Sequence, residues 1–145
     1  MINKKQKVSA LNLDGELIKE IESELSVACG NIEKVLAICV IEWLAVEDID
    51  LVNEIDSNNF KYLDREYLVC TEDEAKALFN ESCTEITKET ELALLPDCLK
   101  EFYDIEKRVE YIRVTDGIAD YLATYDGEEQ KEIINDTTYF IYRTN

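Results

Sequence analysis

The chain has 145 residues, of which 46% are hydrophobic, and this predicts a single globular domain with a core of its own. Its 33 acidic residues against 15 basic ones give a net charge of −18, which argues against direct binding to DNA or RNA phosphates. Histidine is absent and the four glycines are isolated, so the sequence holds neither a His-activated nucleophile nor a Gly-rich phosphate loop.

The N-terminal residues are polar, and we expect residues 1–10 to form a flexible tail ahead of one domain that spans residues 11–145. Asp14 has the side chain of a helix N-cap, and apolar residues then recur at helical spacing. This pattern predicts a first helix from Asp14 to about Ala28.

Gly30 suits the left-handed position just after a helix, and Asn31 can cap the helix that follows. That second helix is predicted from Ile32 to about Ala45. It has almost no polar face, so we expect it at the centre of the fold. The short link predicts that the two helices form an antiparallel pair.

Lysine and arginine are absent between Val35 and Phe60, although this stretch is rich in acids. Ile49, Val52 and Ile55 keep a helical spacing behind the carboxylates, which predicts a helix with an acidic face. That face is either an ordinary solvated surface or a recognition surface for a basic partner. In the second case the partner-binding residues are Glu42, Glu47, Asp48, Asp50, Glu54, Asp56, Trp43 and Phe60.

Trp43 has two interpretations. It is either a core or rim aromatic near the end of the second helix, or a binding hot spot. The acids that follow Trp43 match a calcium-binding loop poorly, because its turn glycine and one acid are missing. The cysteines lack the paired spacing of a zinc site, so we predict no metal and no cofactor, and buried thiols at Cys29, Cys39, Cys70, Cys83 and Cys98.

In the second half, Glu66–Cys70 is a short strand signal, and Thr71 with Glu74 forms a capping-box signature for a helix that begins at Glu72. Pro96 suits the first turn of a further helix. Another helix is expected from Glu106 to about Ile112, and it should fray near Asp116-Gly117.

The C-terminal segment predicts an antiparallel hairpin. Its two β-prone runs are Tyr121–Tyr125 and Thr138–Arg143, and Asp126-Gly127 opens the connection between them. The fold class is therefore α+β and mainly helical, with an N-terminal antiparallel helical pair and a small antiparallel sheet that includes the C-terminal hairpin.

Three blocks of the second half resemble a group of small phage and mobile-element proteins, most of them uncharacterised. Those proteins similarly place helices after a strand–acid–acid segment and close on an Asp-Gly hairpin that ends in an aromatic-Ile-Tyr-Arg run. The resemblance implies a phage or prophage origin and assigns no catalytic residue. The matching blocks are Tyr67–Ala75, Leu122–Glu129 and Tyr139–Asn145.

Charge and resemblance together predict a non-enzymatic, phage-encoded protein that mimics nucleic-acid phosphate and blocks a basic, nucleic-acid-binding host defence protein, as anti-CRISPR and antirestriction proteins do. The alternative is an acidic regulator or adaptor, which could be homodimeric and whose charge serves only solubility. Carboxylate chemistry at Asp126, Glu128 and Glu129 is a third hypothesis, but turn formation explains Asp126-Gly127 more simply. The sequence has no signal peptide and no apolar run near the roughly 18 residues of a membrane span, so we expect a cytoplasmic protein in the bacterial host.

Overall fold

The computed structural model describes residues 5–25 and 31–145 and has the predicted mainly helical α+β fold. The α-helices are α1 Gly15–Leu25, α2 Ile32–Ile41, α3 Glu72–Thr90, α4 Asp97–Lys100, α5 Ile105–Asp116 and α6 Ala119–Leu122. Short 3₁₀ helices cover Val8–Ala10, Val46–Leu51 and Leu92–Leu94. The strands are β1 Val52–Glu54, β2 Asn59–Tyr62, β3 Arg65–Cys70, β4 Glu129–Ile134 and β5 Thr137–Arg143.

The strands form one five-stranded antiparallel sheet in the order β1-β2-β3-β5-β4. Successive side chains of β3 point to opposite faces, as the pleat requires. Tyr67 and Val69 belong to the core on one face, and Leu68 and Cys70 belong to the core on the other. Both faces are therefore covered, and β1 and β4 lie at the two edges.

Helix α2 fills the centre of the first core, as its almost wholly apolar sequence predicts. It packs on β3, β4 and β5, together with α1 and the 3₁₀ helix Val8–Ala10. Nearly every residue of its first two turns is buried, in the set Ile32, Lys34, Val35, Leu36, Ala37, Ile38 and Cys39.

The opposite face is covered by α3 and α6, with Tyr142 fully buried between them and the sheet. Helix α3 buries a single stripe of residues at i, i+4 spacing, and α5 packs on that helix outside the sheet. The buried stripe of α3 consists of Ala75, Phe79, Cys83 and Thr87.

Two of the predicted helix starts are confirmed in detail. The Thr71 hydroxyl accepts from the Glu74 N–H and the Glu74 carboxylate accepts from the Thr71 N–H, which is the full capping box of α3. The Asp14 carboxylate accepts from the Leu17 N–H at 2.9 Å and so caps α1. Asn31 does precede α2, but its side chain donates to Glu54 instead of capping the helix.

The C-terminal hairpin exists, but its first strand is β4 and not Tyr121–Tyr125. That run instead forms α6 and a turn. The hairpin turn is Asn135-Asp136, where both residues have positive φ, 50° and 63°, as a type I′ turn requires. Asp126-Gly127 is a turn as expected, with Gly127 at φ 71°, but it links α6 to β4.

Two N-terminal expectations also change. The helix predicted through Ile49, Val52 and Ile55 is a 3₁₀ helix followed by strand β1, because α2 ends at Ile41. Residues 5–10 lie against the domain, since Lys7 pairs with Ala45 and Val8 is fully buried. Ala28, Cys29 and Gly30, and the N-terminal half of the predicted tail at 1–4, lie outside the described residues.

Within the described part of the chain, no helix combines the length and the apolar character that crossing a membrane needs.

Candidate protein-binding surface

Trp43 occupies a position that normally belongs to glycine. Helix α2 ends in a Schellman motif, in which the Leu44 N–H donates to the Cys39 carbonyl at 2.9 Å and the Trp43 N–H donates to the Val40 carbonyl at 3.2 Å. The motif places Trp43 in the left-handed region, at φ 58°. A non-glycine residue pays about 1 kcal/mol there, so this backbone geometry does not favour a tryptophan.

The Trp43 side chain is not packed in the core, so its burial does not offset that strain. It is 61% exposed, which excludes a position in the core and leaves two interpretations, a rim aromatic or a binding hot spot. A large exposed aromatic on a strained backbone is a candidate binding residue, because strained conformations concentrate at functional sites.

Glu42, the residue before Trp43, fixes the C-terminal end of α2 to the sheet. The Glu42 carboxylate accepts from Arg65 Nη1 at 2.7 Å and also from the Tyr67 hydroxyl. Burial, together with this hydrogen bond to Glu42, raises the pKa of Tyr67 to about 12, so the phenol stays protonated. Glu42 was predicted to contact a partner, but its side chain is only 10% exposed and serves as an internal anchor.

A second exposed apolar residue with positive φ lies on the same side of this anchor. Leu63 and Asp64 form the turn between β2 and β3, and Leu63 has φ 56°. Arg65, the residue that holds Glu42, follows this turn directly. Leu51, which directly precedes β1, is exposed as well. We call the three exposed side chains Trp43, Leu51 and Leu63 the apolar corner, because Trp43 follows Glu42 and Leu63 lies two residues before Arg65.

The predicted carboxylates lie beside this corner and along β1, which is an edge strand. Glu47 and Asp50 are exposed on the 3₁₀ helix Val46–Leu51, and Asp48 is partly exposed. Asp50 and Glu54 line a shared groove of about 260 Å³ with Asn31 and Asn53. We call this groove, together with Glu47 and Asp48 of the preceding 3₁₀ helix, the β1 edge. The described residues that line the groove include no lysine or arginine, although Lys61 faces Asn53 on the neighbouring strand. The groove is therefore suited to a cationic side chain.

Asp56 lies at the other end of β1, in the turn to β2. Its carboxylate accepts from the Asn58 N–H at 3.0 Å and from the side chain of Asn59, which holds the pKa of Asp56 below its ordinary value. It is exposed but is already used to shape the turn. Phe60 was expected to contact a partner, but it is fully buried in the first core and therefore cannot.

A buried polar cluster links the two helical layers beside this turn. Lys34 Nζ donates to Glu74 Oε2 and to the Ser57 carbonyl, both at 3.1 Å, and Asn58 Nδ2 donates to the same Glu74 oxygen at 3.2 Å. Burial acts to raise the pKa of Glu74, but the Thr71 N–H and the Lys34 ammonium outweigh it, so the pKa lies below its ordinary value. The cluster joins α2 to α3, and each of its polar groups is satisfied.

The thiols of two core cysteines are unsuited to nucleophilic chemistry near neutral pH. Burial raises the pKa of Cys39 and of Cys70 to about 12. Over residues 5–25 and 31–145 there is no group of three or more Cys, Asp or Glu side chains placed to hold a metal ion.

The apolar corner could be predicted only in part. Trp43 and the acids stood out as residue types, whereas Leu51 and Leu63 have no sequence signal, because they lie at the end of a 3₁₀ helix and in a turn whose exposure is set by the assembled fold. Comparisons of the chain with protein-family models, with curated proteins and with solved structures give no significant match.

Proposed function

We propose that this chain is a non-enzymatic acidic protein that binds a basic surface of a nucleic-acid-binding protein and blocks it. The observation that carries the proposal is the β1 edge, whose groove is lined by carboxylates and, among the described residues, by no lysine or arginine. The exposed Trp43 lies three residues before the 3₁₀ helix that carries Glu47, Asp48 and Asp50. Carboxylates would occupy the place of nucleic-acid phosphates and steer association, and Trp43 would supply the apolar contact energy. The resemblance to small phage and mobile-element proteins makes a cytoplasmic defence protein of the bacterial host the preferred target.

The charge of the whole chain supports this choice of partner. At −18 it repels nucleic acid and other acidic proteins and is attracted to basic ones over about 8 Å at physiological ionic strength. Binding should therefore weaken steeply with salt, whereas association through the apolar corner alone should not.

The first experiment is affinity capture from a bacterial lysate at low and at high ionic strength, with the captured protein identified by mass spectrometry and purified. We expect a basic, nucleic-acid-binding protein at low salt, and we expect duplex DNA to compete with this chain for it. Capture of acidic or neutral proteins only, or lack of competition by DNA, would contradict the proposal.

Two sets of charge-removing variants distinguish the effect of the β1-edge carboxylates on binding from the effect of the net charge of the chain. Glu47→Gln, Asp48→Asn, Asp50→Asn and Glu54→Gln together remove four negative charges from the edge. The control, Glu81→Gln with Glu85→Gln, Glu89→Gln and Glu110→Gln, removes the same number from exposed positions of α3 and α5. Only the first set should weaken binding to the purified partner, by at least tenfold.

The same assay separates the proposal from its alternative, an acidic regulator or adaptor whose charge serves only solubility. That alternative predicts that neutralising the β1 edge leaves binding intact while Trp43→Ala abolishes it. It also permits a homodimer, which light scattering of the purified protein would detect.

A further inference from the structure

The segment 91–104, which we call the lobe, is folded although none of its residues is buried. It contains the 3₁₀ helix Leu92–Leu94 and helix α4, and it follows α3 without returning to the sheet. Leu94 is 80% exposed and Phe102 is 75% exposed, and Leu99 is exposed as well. Leu99 and Phe102 lie one turn apart, because the Phe102 N–H donates to the Leu99 carbonyl at 3.1 Å. Groups of exposed large apolar side chains mark interaction sites.

The two ends of the lobe are clamped together. Arg108 of α5 donates to both carboxylate oxygens of Glu91, with its Nη2 and Nε atoms each at 2.9 Å from one of them. The Tyr103 hydroxyl donates to the same carboxylate. Arg108 also lies 5.7 Å from the ring centre of Tyr111, an exposed residue of α5. Bidentate pairs of this kind hold a fixed geometry, so the lobe is pre-organised before any partner arrives.

The rim of the lobe carries negative charge. Its single lysine, Lys100, is 3.2 Å from Asp97 and is neutralised by it. Glu101 and Glu106 line a shallow hollow of about 450 Å³ that also includes Phe102. Asp104 lines it too, but its carboxylate caps α5 and lies 4.0 Å from Lys107 Nζ, so Glu101 and Glu106 supply the negative charge of the hollow. This combination favours a cationic and apolar occupant. It disfavours a second copy of the chain, which would bring the same negative rim.

We propose that the lobe is a second docking element, which packs Leu94, Leu99 and Phe102 against the apolar face of a basic, amphipathic helix on a partner protein. This proposal takes the basic charge of the partner from the proposed function. It adds that the partner must present an apolar face to the lobe, which the carboxylates of the β1 edge do not require. Phe102 and Leu94 act as anchors, and the carboxylates of the rim pair with lysines or arginines that border the apolar face of the helix.

The test uses a defined probe, a dye-labelled helical peptide of leucine and lysine, with a matched peptide in which glutamine replaces every leucine. Fluorescence anisotropy at physiological salt should give at least tenfold tighter binding of the Leu/Lys peptide to the intact chain. The double variant Leu94→Ser/Phe102→Ser should remove this preference. Both side chains are exposed, so the variant should keep the circular dichroism spectrum and the Tm of the parent.

Ile133→Thr is the control for loss of an exposed apolar side chain, because Ile133 is 68% exposed and belongs to the edge strand β4 and not to the lobe. It should leave the preference unchanged. Equal binding of the two peptides, or equal loss in the control and the lobe variant, would overturn the proposal. A parent protein that is dimeric by light scattering and becomes monomeric in the lobe variant would overturn it too, because the occupant would then be a second copy.

Cys98 provides an independent readout at the site. It is exposed within the lobe, so the expectation of a buried thiol at Cys98 is wrong, whereas Cys39, Cys70 and Cys83 are buried as expected. In a Cys29→Ser background, an environment-sensitive dye is attached to Cys98. Its fluorescence emission should shift to shorter wavelength when the Leu/Lys peptide is added and should not shift with the glutamine peptide. An emission spectrum that the Leu/Lys peptide leaves unchanged would contradict docking at the lobe. The neutralised β1-edge variant should keep this response, so failure of the lobe and failure of the β1 edge are told apart.

Discussion

Helix α2 and the lobe are both rich in large apolar residues, yet α2 buries most of its residues and the lobe buries none. The difference follows from position. α2 lies across the centre of the sheet and is covered by α1 and the 3₁₀ helix Val8–Ala10, whereas the lobe extends beyond α3 and packs chiefly on that helix. Apolar residues on the α2 side therefore stabilise the fold, and those of the lobe are available for binding.

The largest expected difference in stability between the two regions is that between two phenylalanine-to-alanine variants. Phe60 is fully buried under α2, so Phe60→Ala removes apolar burial and leaves a cavity, at a cost of about 3 to 5 kcal/mol in the free energy of unfolding. Phe102→Ala removes an exposed ring and should cost less than about 0.5 kcal/mol. Urea denaturation of the two variants measures both values. Equal losses would mean that the lobe packs on the domain.

Two lysines extend the comparison to charge. The Lys34 side chain is 9% exposed on α2 and is paired with Glu74, whereas the Lys107 side chain on α5 is 85% exposed, 4.0 Å from Asp104. Lys34→Met should destabilise the protein by roughly 2 kcal/mol, because it leaves the Glu74 carboxylate without its cation. The expected loss is below that of a fully buried pair, because Glu74 keeps contact with water and with Asn58.

Lys107→Met should change stability by less than about 0.5 kcal/mol, as is usual for an exposed ion pair. Chemical denaturation at two salt concentrations checks both lysines. A salt-sensitive loss at Lys107 comparable to that at Lys34 would contradict the assignment of the polar cluster as the link between α2 and α3.

Alkaline pH should act on the α2 side through Tyr67. Its folded-state pKa of about 12 exceeds its ordinary value of 10.0, so the folded protein holds this proton to higher pH than the unfolded chain does. The resulting stabilisation is complete below about pH 10 and is lost as the pH rises towards about 12. Tyr67→Phe should therefore lose less stability across that range, whereas Tyr125→Phe, which alters an exposed ring, should follow the parent. Thermal unfolding against pH measures the slopes.

The parts of the fold that local chemistry determines could be predicted from sequence. The apolar face of α2, the capping box at Thr71 and the β3 signal are all complete within a few residues. The end of α2 could not, because the residue in the left-handed position is Trp43 and not glycine, so the expected helix continued past it. Once α2 ends at Ile41, the acids that follow lie on a 3₁₀ helix and an edge strand.

The hairpin and the lobe show two other limits. Asp126-Gly127 and Asn135-Asp136 are both credible turns, and only pairing of β4 with β5 decides that the second closes the hairpin. For the lobe, Leu99 and Phe102 have the i, i+3 spacing of a core-facing helix, and their exposure depends on there being no layer to cover them. Burial is a property of the assembled fold, so the apolar part of either candidate site has no local signature.

The smallest expected effect concerns Trp43 itself and has opposite signs for stability and for binding. Trp43→Gly should stabilise the protein by about 0.5 to 1 kcal/mol, because glycine adopts φ 58° without the Cβ clash that tryptophan incurs. Trp43→Ala keeps the Cβ and should change stability little. Leu94, which is more exposed than Trp43 but has no positive φ, provides the contrast, since Leu94→Gly should not stabilise. If Trp43→Gly gains stability and loses partner affinity, the side chain is retained for binding at a cost to the fold; if it loses stability, Trp43 packs on Leu51 or Leu63 as part of the structure.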